Sequence, residues 1–155
     1  MNQATVRTLG ALLSMADIAV GEAALDLADR LDAKAEADQA LREQASQVRE
    51  LHGMHERLSQ PGQALQPELM SQLGRQAMVA VAACREARAH CDDVEAQLDD
   101  KRRVLHALQS RQEMIQGLHR EARDAHRAER EHQEALAREE LHLAHRWSQG
   151  GRRWM

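Results

Sequence analysis

Apolar residues recur at helical spacing through nearly the whole chain, and the pattern stops once. From Val6, the positions Leu9, Leu13, Ala16, Val20, Ala23 and Leu27 follow at alternating steps of three and four. That spacing keeps one face of a helix turned toward a partner helix. Leu31 adds a second step of four and shifts the seam. The run DAKAEADQA (32–40) then has no large apolar residue. The seam resumes with Leu41, Ala45, Val48, Leu51 and Leu58. Gly10, Gly21 and Gly53 each weaken such a helix by up to ~1 kcal/mol relative to Ala where exposed. The pattern predicts a helix over 5–58 that bends or frays more readily than its partner.

A second, cleaner seam follows. Leu73, Ala77, Ala80, Cys84, Ala87, Cys91, Val94, Leu98, Lys101, Leu105, Leu108, Gln112, Ile115, His119 and Ala122 keep strict four-three spacing. All but Lys101, Gln112 and His119 are apolar. Extended further, the same positions are His126, Glu129, Gln133, Leu136, Glu140, Leu143 and Trp147, and only the last two leucines and the tryptophan are apolar. The partner face therefore fades toward the end of this helix. Between the two patterns lies SQPGQALQP (59–67), which holds both prolines. Proline fixes φ, lacks an N–H and pushes its predecessor out of helical geometry. A short break between long helices folds them back on each other. The expected fold is all-α: an elongated antiparallel two-helix coiled-coil hairpin with the C-terminal helix longer. Its single domain comprises a helix over 5–58, a turn over 59–67, a helix over 68–148 beginning near Pro67, and a loose tail over 149–155. At about 1.5 Å per residue the helices would span roughly 80 and 120 Å, so the second overhangs the first.

Composition fits this reading. The chain has 155 residues, no Phe, no Tyr and two Trp. Alanine supplies 27 of the residues behind the 43% apolar content, so large core side chains are few. Ala, Leu, Arg, Glu and Gln, all good helix formers, dominate, a profile of long paired helices. The net charge of −4 speaks against a dedicated nucleic-acid binder, which carries a basic footprint. Charge is nevertheless uneven. Residues 1–60 hold six basic and ten acidic side chains, 92–100 are acidic, and 101–130 hold eight basic against four acidic. Most of this is a solvated helix surface. Cys84 and Cys91 lie two turns apart, about 10 Å along one helix and too far for a disulfide within it. They are expected to be reduced thiols. No signal peptide and no stretch long and apolar enough to cross a bilayer is expected, so the protein is placed in the cytoplasm without direct membrane insertion.

Little in the chain points to catalysis. There is no phosphate-binding loop and no nucleophile elbow, so no catalytic residue, no cofactor-binding residue and no metal ligand is assigned, and the chain is not expected to be an enzyme. The nine histidines raise a metal-binding helical bundle as a reading from another class. His52 and His55 share a helical face, as do His142 and His145. One pair falls near the turn and the other at the far end, so they cannot complete a four-ligand site within one hairpin. Glu129 to His132 is a Glu-x-x-His match, but a di-iron bundle takes such motifs from two separate helices, with a glutamate from each of two more. The C-terminal end is distinctive: Trp147, Trp154 and Met155 sit among Arg146, Arg152 and Arg153. Trp and Arg are enriched at binding hot spots, and this end is where the hairpin lacks a partner.

A helix, a turn near residue 60 and a longer second helix in a chain of this length resemble the central stalk proteins of type III secretion and flagellar export ATPases (the FliJ/YscO/SctO family). The resemblance covers nearly the full chain and is architectural. It implies a coiled-coil stalk that inserts into the hexameric secretion ATPase and couples it to the export-gate membrane protein, with export chaperones as further partners. It also implies a location at the cytoplasmic face of a membrane-embedded secretion apparatus. Flagellar members carry a gate-binding stripe of Gln, Leu, Tyr, Tyr at steps of four, three and four. Gln44, Val48, Leu51 and His55 fit that spacing here, without the tyrosines. Leu73, Ala77, Ala80 and Cys84 form the matching stripe after the turn. The missing aromatics point to the non-flagellar, virulence-associated branch. The ends opposite the turn would enter the ATPase pore, with Leu9, Leu13, Leu136, Leu143, Arg146 and Trp147 as contacts. A stand-alone coiled-coil adaptor or export chaperone is the alternative within the same structural class.

Overall fold

The computed structural model describes residues 3–150. These form two helices, α1 (Gln3–Leu58) and α2 (Pro67–Gly150), and no strand occurs among the described residues. The protein is all-α, a helical hairpin of unequal arms.

The break falls at the prolines for the reasons their chemistry dictates. The α1 end is closed locally: the Ser59 backbone N–H donates to the His55 carbonyl at 3.1 Å, and the Ser59 hydroxyl donates to the same carbonyl at 2.8 Å. His55 and Arg57 stand in the last turn, where the helix dipole favours positive charge. Gly62 takes φ 95°, a left-handed conformation that costs glycine nothing. Pro67 opens α2 at the first helical position, where its missing N–H has no partner to lose, and the Gln66 carbonyl accepts the first helical bond from the Met70 N–H at 3.0 Å. Glu68 occupies the first turn, at the positive end of the dipole.

Three expectations change. Pro67 belongs to the helix rather than the turn. At the other end α2 continues through Gln149 and Gly150, which the sequence places in a loose tail. The Ser148 hydroxyl donates to the His145 carbonyl at 2.8 Å and the Gln149 amide meets the His145 ring at 2.8 Å, so side chains hold the last turn together. The rest of the expected tail, including Arg152, Arg153, Trp154 and Met155, lies outside the described residues. The third change concerns membranes. Near its N-terminus α1 contains an 18-residue stretch long and apolar enough to cross one by length and composition. Within the same region Leu9, Leu13, Ala16 and Val20 are half-buried.

Contacts divide the chain into two compact units, Glu22–His106 and Met1–Gly21 with Ala107–Met155. In the first, Leu73, Ala80, Cys91, Val94 and Leu98 are buried, all of them seam positions, and Leu98 is only 1% exposed. Ala37 is buried against Cys91 and Val94, with Ala33 and Leu41 packed alongside. The segment with no large apolar residue is thus part of the core. Alanine lets two helices approach closely, so small side chains can make a dry contact. Polar bridges flank it. Lys34 lies 3.7 Å from Glu95, Arg30 donates to Gln97 at 2.7 Å, and Lys101 pairs with Asp26. As the residue number rises along α1, its partner's number falls along α2.

In the second unit Ile115 and Ala122 are buried, Ala122 completely. Gln112, a polar seam residue, donates to Asp17 at 2.6 Å. His119, another, faces Gly10: a Cβ at Gly10 would lie 3.5 Å from its Nε2. Each polar interruption of the second seam, Lys101, Gln112 and His119, therefore has its own counterpart on α1. Such positions fix the register of paired helices at some cost in apolar burial.

Candidate partner-binding surface

Seam burial ends abruptly. His126 is the last half-buried residue of α2, and from Arg127 through Gln149 every residue is exposed. The ion pairs of this segment are internal to the helix: Arg127 with Glu131, and Glu134 with both Arg130 and Arg138. Pairs of this kind at steps of four support a helix with no neighbour, each by about 0.3–0.5 kcal/mol. Leu136, Leu141, Leu143 and Trp147 project from it, and Trp147 is 80% exposed. Leu136, Leu143 and Trp147 fall on one face, spaced by seven and four residues. Leu143 lines a notch with Arg138, Glu139 and His142. One helix supplies all of its walls, so it is surface relief rather than a cavity.

The other residues assigned to the ATPase pore sit differently. Leu9 and Leu13 are half-buried. Leu13 helps line a groove of about 800 Å³ with Val6 from α1 and Gln116, His119, Arg120, Arg123, Asp124, His126 and Arg127 from α2. Leu136, Leu143, Arg146 and Trp147 take no part in that groove. The apolar seam alone does not reveal it. The spacing of Arg120, Arg123 and Arg127 by three and four residues, within the basic stretch 101–130, was the available clue.

The stripe expected to meet an export gate is partly turned inward. Gln44, Val48 and Leu51 are half-buried, and only His55 is exposed. Gln44 and Leu51 line one groove with Arg75, Gln76, Val79 and Ala80. Val48 lines another with Val81, Cys84, Arg85 and Arg88. The four residues thus do not share one open face. On the matching stripe Leu73 and Ala80 are buried while Ala77 and Cys84 are half-buried.

The histidines do not converge. His52 pairs with Glu56 at 3.2 Å, and His145 meets Gln149. Among the described residues no three His, Cys, Asp or Glu side chains come together as a metal site would require. Both thiols are free. Burial, then the neighbouring Asp38 carboxylate, pushes the Cys91 thiol above its ordinary pKa, the reverse of an activated nucleophile.

No family model, no curated protein and no solved structure matches this chain.

Proposed function

We propose that this chain is a non-enzymatic stalk, an elongated antiparallel coiled coil whose α2 end seats in the pore of a hexameric type III secretion ATPase. The observation that carries the reading is the helix from Arg127 to Gln149, exposed throughout yet apolar along one face at Leu136, Leu143 and Trp147. A helix held by its own ion pairs and presenting a leucine and tryptophan stripe is suited to a ring that closes around it. Leu136, Leu143, Arg146 and Trp147 are the principal pore contacts. Leu9 and Leu13, half-buried beside α2, contribute from the rim. Gln44, Val48, Leu51 and His55, near the turn, mark the end that meets the export gate, with His55 exposed and the other three half-buried, and export chaperones dock on the remaining surface. The site of action is the cytoplasmic face of the secretion apparatus. No cofactor and no nucleic acid enters this reading.

The test is stoichiometry. Mixed with the cognate ATPase and nucleotide, the chain binds as one copy per hexamer by native mass measurement. Leu143→Glu with Trp147→Ala abolishes the complex. Binding that ignores both substitutions refutes the assignment.

A stand-alone adaptor is the second reading, and one observation favours it. Leu12, Met15, Ile18 and Leu25 are exposed on α1, away from its seam, and Leu25 is 70% exposed. A second copy covering this face would give a four-helix assembly. Sedimentation of the purified chain at micromolar concentration separates the two, since the stalk is monomeric and the adaptor is not.

A further inference from the structure

The groove of about 800 Å³ beside the first residues of α1 has a composition that selects its occupant. Val6 and Leu13 form an apolar floor. Arg120, Arg123 and Arg127 rise along α2 at steps of three and four, with His119 and His126 interleaved and Asp124 the one acidic lining residue. Arg127 is shared with Glu131 at 3.3 Å. Arg120 and Arg123 have no ion pair among the described residues. On the same helix Arg102 is matched by Asp99 and Arg130 by Glu134, while Arg85, Arg88 and Arg111 lie outside the groove. Two unmatched guanidinium groups above an apolar floor are the complement of a carboxylate-bearing amphipathic segment.

We infer that this groove binds an acidic amphipathic helix of a partner protein. Its apolar side lies on Val6 and Leu13, and its carboxylates take bidentate hydrogen bonds from Arg120 and Arg123. From Gln116 to Arg127 the groove follows α2 for about 16 Å, or three turns of a docked helix. A small anion would engage the arginines and leave the floor uncovered. The inference holds whether or not the partner is an ATPase.

A labelled synthetic peptide of about 18 residues tests it, with leucine at helical three-four spacing and glutamate between, long enough to cover the groove. The full chain binds this peptide. A scrambled peptide of the same composition, its leucines no longer on one face, binds about tenfold more weakly because the floor goes unfilled. The double variant Arg120→Glu, Arg123→Glu weakens binding at least about tenfold, whereas Arg120→Lys, Arg123→Lys, which keeps the charge but loses the bidentate fork, weakens it by a smaller factor. Both changes are on exposed positions of α2, and an unchanged helical circular dichroism spectrum verifies that the fold persists. Equal binding of the scrambled peptide, indifference to charge reversal, or displacement by a single-stranded oligonucleotide as effective as by unlabelled peptide would each overturn the inference.

Discussion

Gly62 is the only described residue with positive φ, at 95°, and nothing stands within 4 Å of where its Cβ would be. The cost of a side chain there is purely conformational. Gly62→Ala should lower unfolding free energy by about 1 kcal/mol, measured by urea denaturation, with no change in the m-value. Asp26 gives a pH signature. The hydrogen bond from Lys101 holds its carboxyl below the ordinary value of 3.8, helped by the charges of Lys101 and Arg30 and opposed by partial burial. Because the folded pKa is depressed, the pair's stabilisation is complete above about pH 3.8 and is lost only as pH falls through the lower folded value. Asp26→Asn should therefore cost stability at neutral pH and cost nothing at the acid end of the titration. The cysteines separate by exposure. Cys91 is buried with a raised pKa and Cys84 is half-buried, so alkylation at neutral pH, followed by mass spectrometry, should modify Cys84 first.

For the helices, the contrast between α1 and α2 explains what was legible in the sequence. The α2 seam from Leu73 to Ala122 could be read directly, because strict four-three spacing marks the same face for about fourteen turns. Every one of those positions is buried or half-buried. The turn was legible because two prolines and a glycine leave a helix no way through. The packing of Ala37 was not, since an apolar count gives weight to large side chains and alanine contacts depend on how closely two backbones approach. The groove at Arg120 and Arg123 needs both helices, and no single-helix pattern contains it. Two substitutions probe this level. Leu98→Ala, at the most buried large side chain, should cost about 3 kcal/mol. Gly10→Ala should instead stabilise by up to about 1 kcal/mol. The new Cβ makes ordinary contact with His119 at 3.5 Å and α1 gains helix propensity.

At the scale of the whole molecule, burial and exposure are assigned to different stretches of the same helix. The seam through Ala122 holds the fold, and the residues from Arg127 to Gln149 contribute little to it. A chain ending at Arg127 should accordingly melt within a few degrees of the full protein, since surface residues away from packed contacts change stability by about 0.5 kcal/mol or less. If the exposed segment is the working end of a stalk, the same truncation removes function without removing the fold. The most direct measurement is steady-state ATP hydrolysis by the cognate hexameric ATPase, titrated with full-length chain and with the chain ending at Arg127. The account predicts stimulation that saturates at one full-length chain per hexamer, and none from the folded truncation. Hydrolysis that stays at its basal rate with the full-length chain, or rises equally with both, would contradict it.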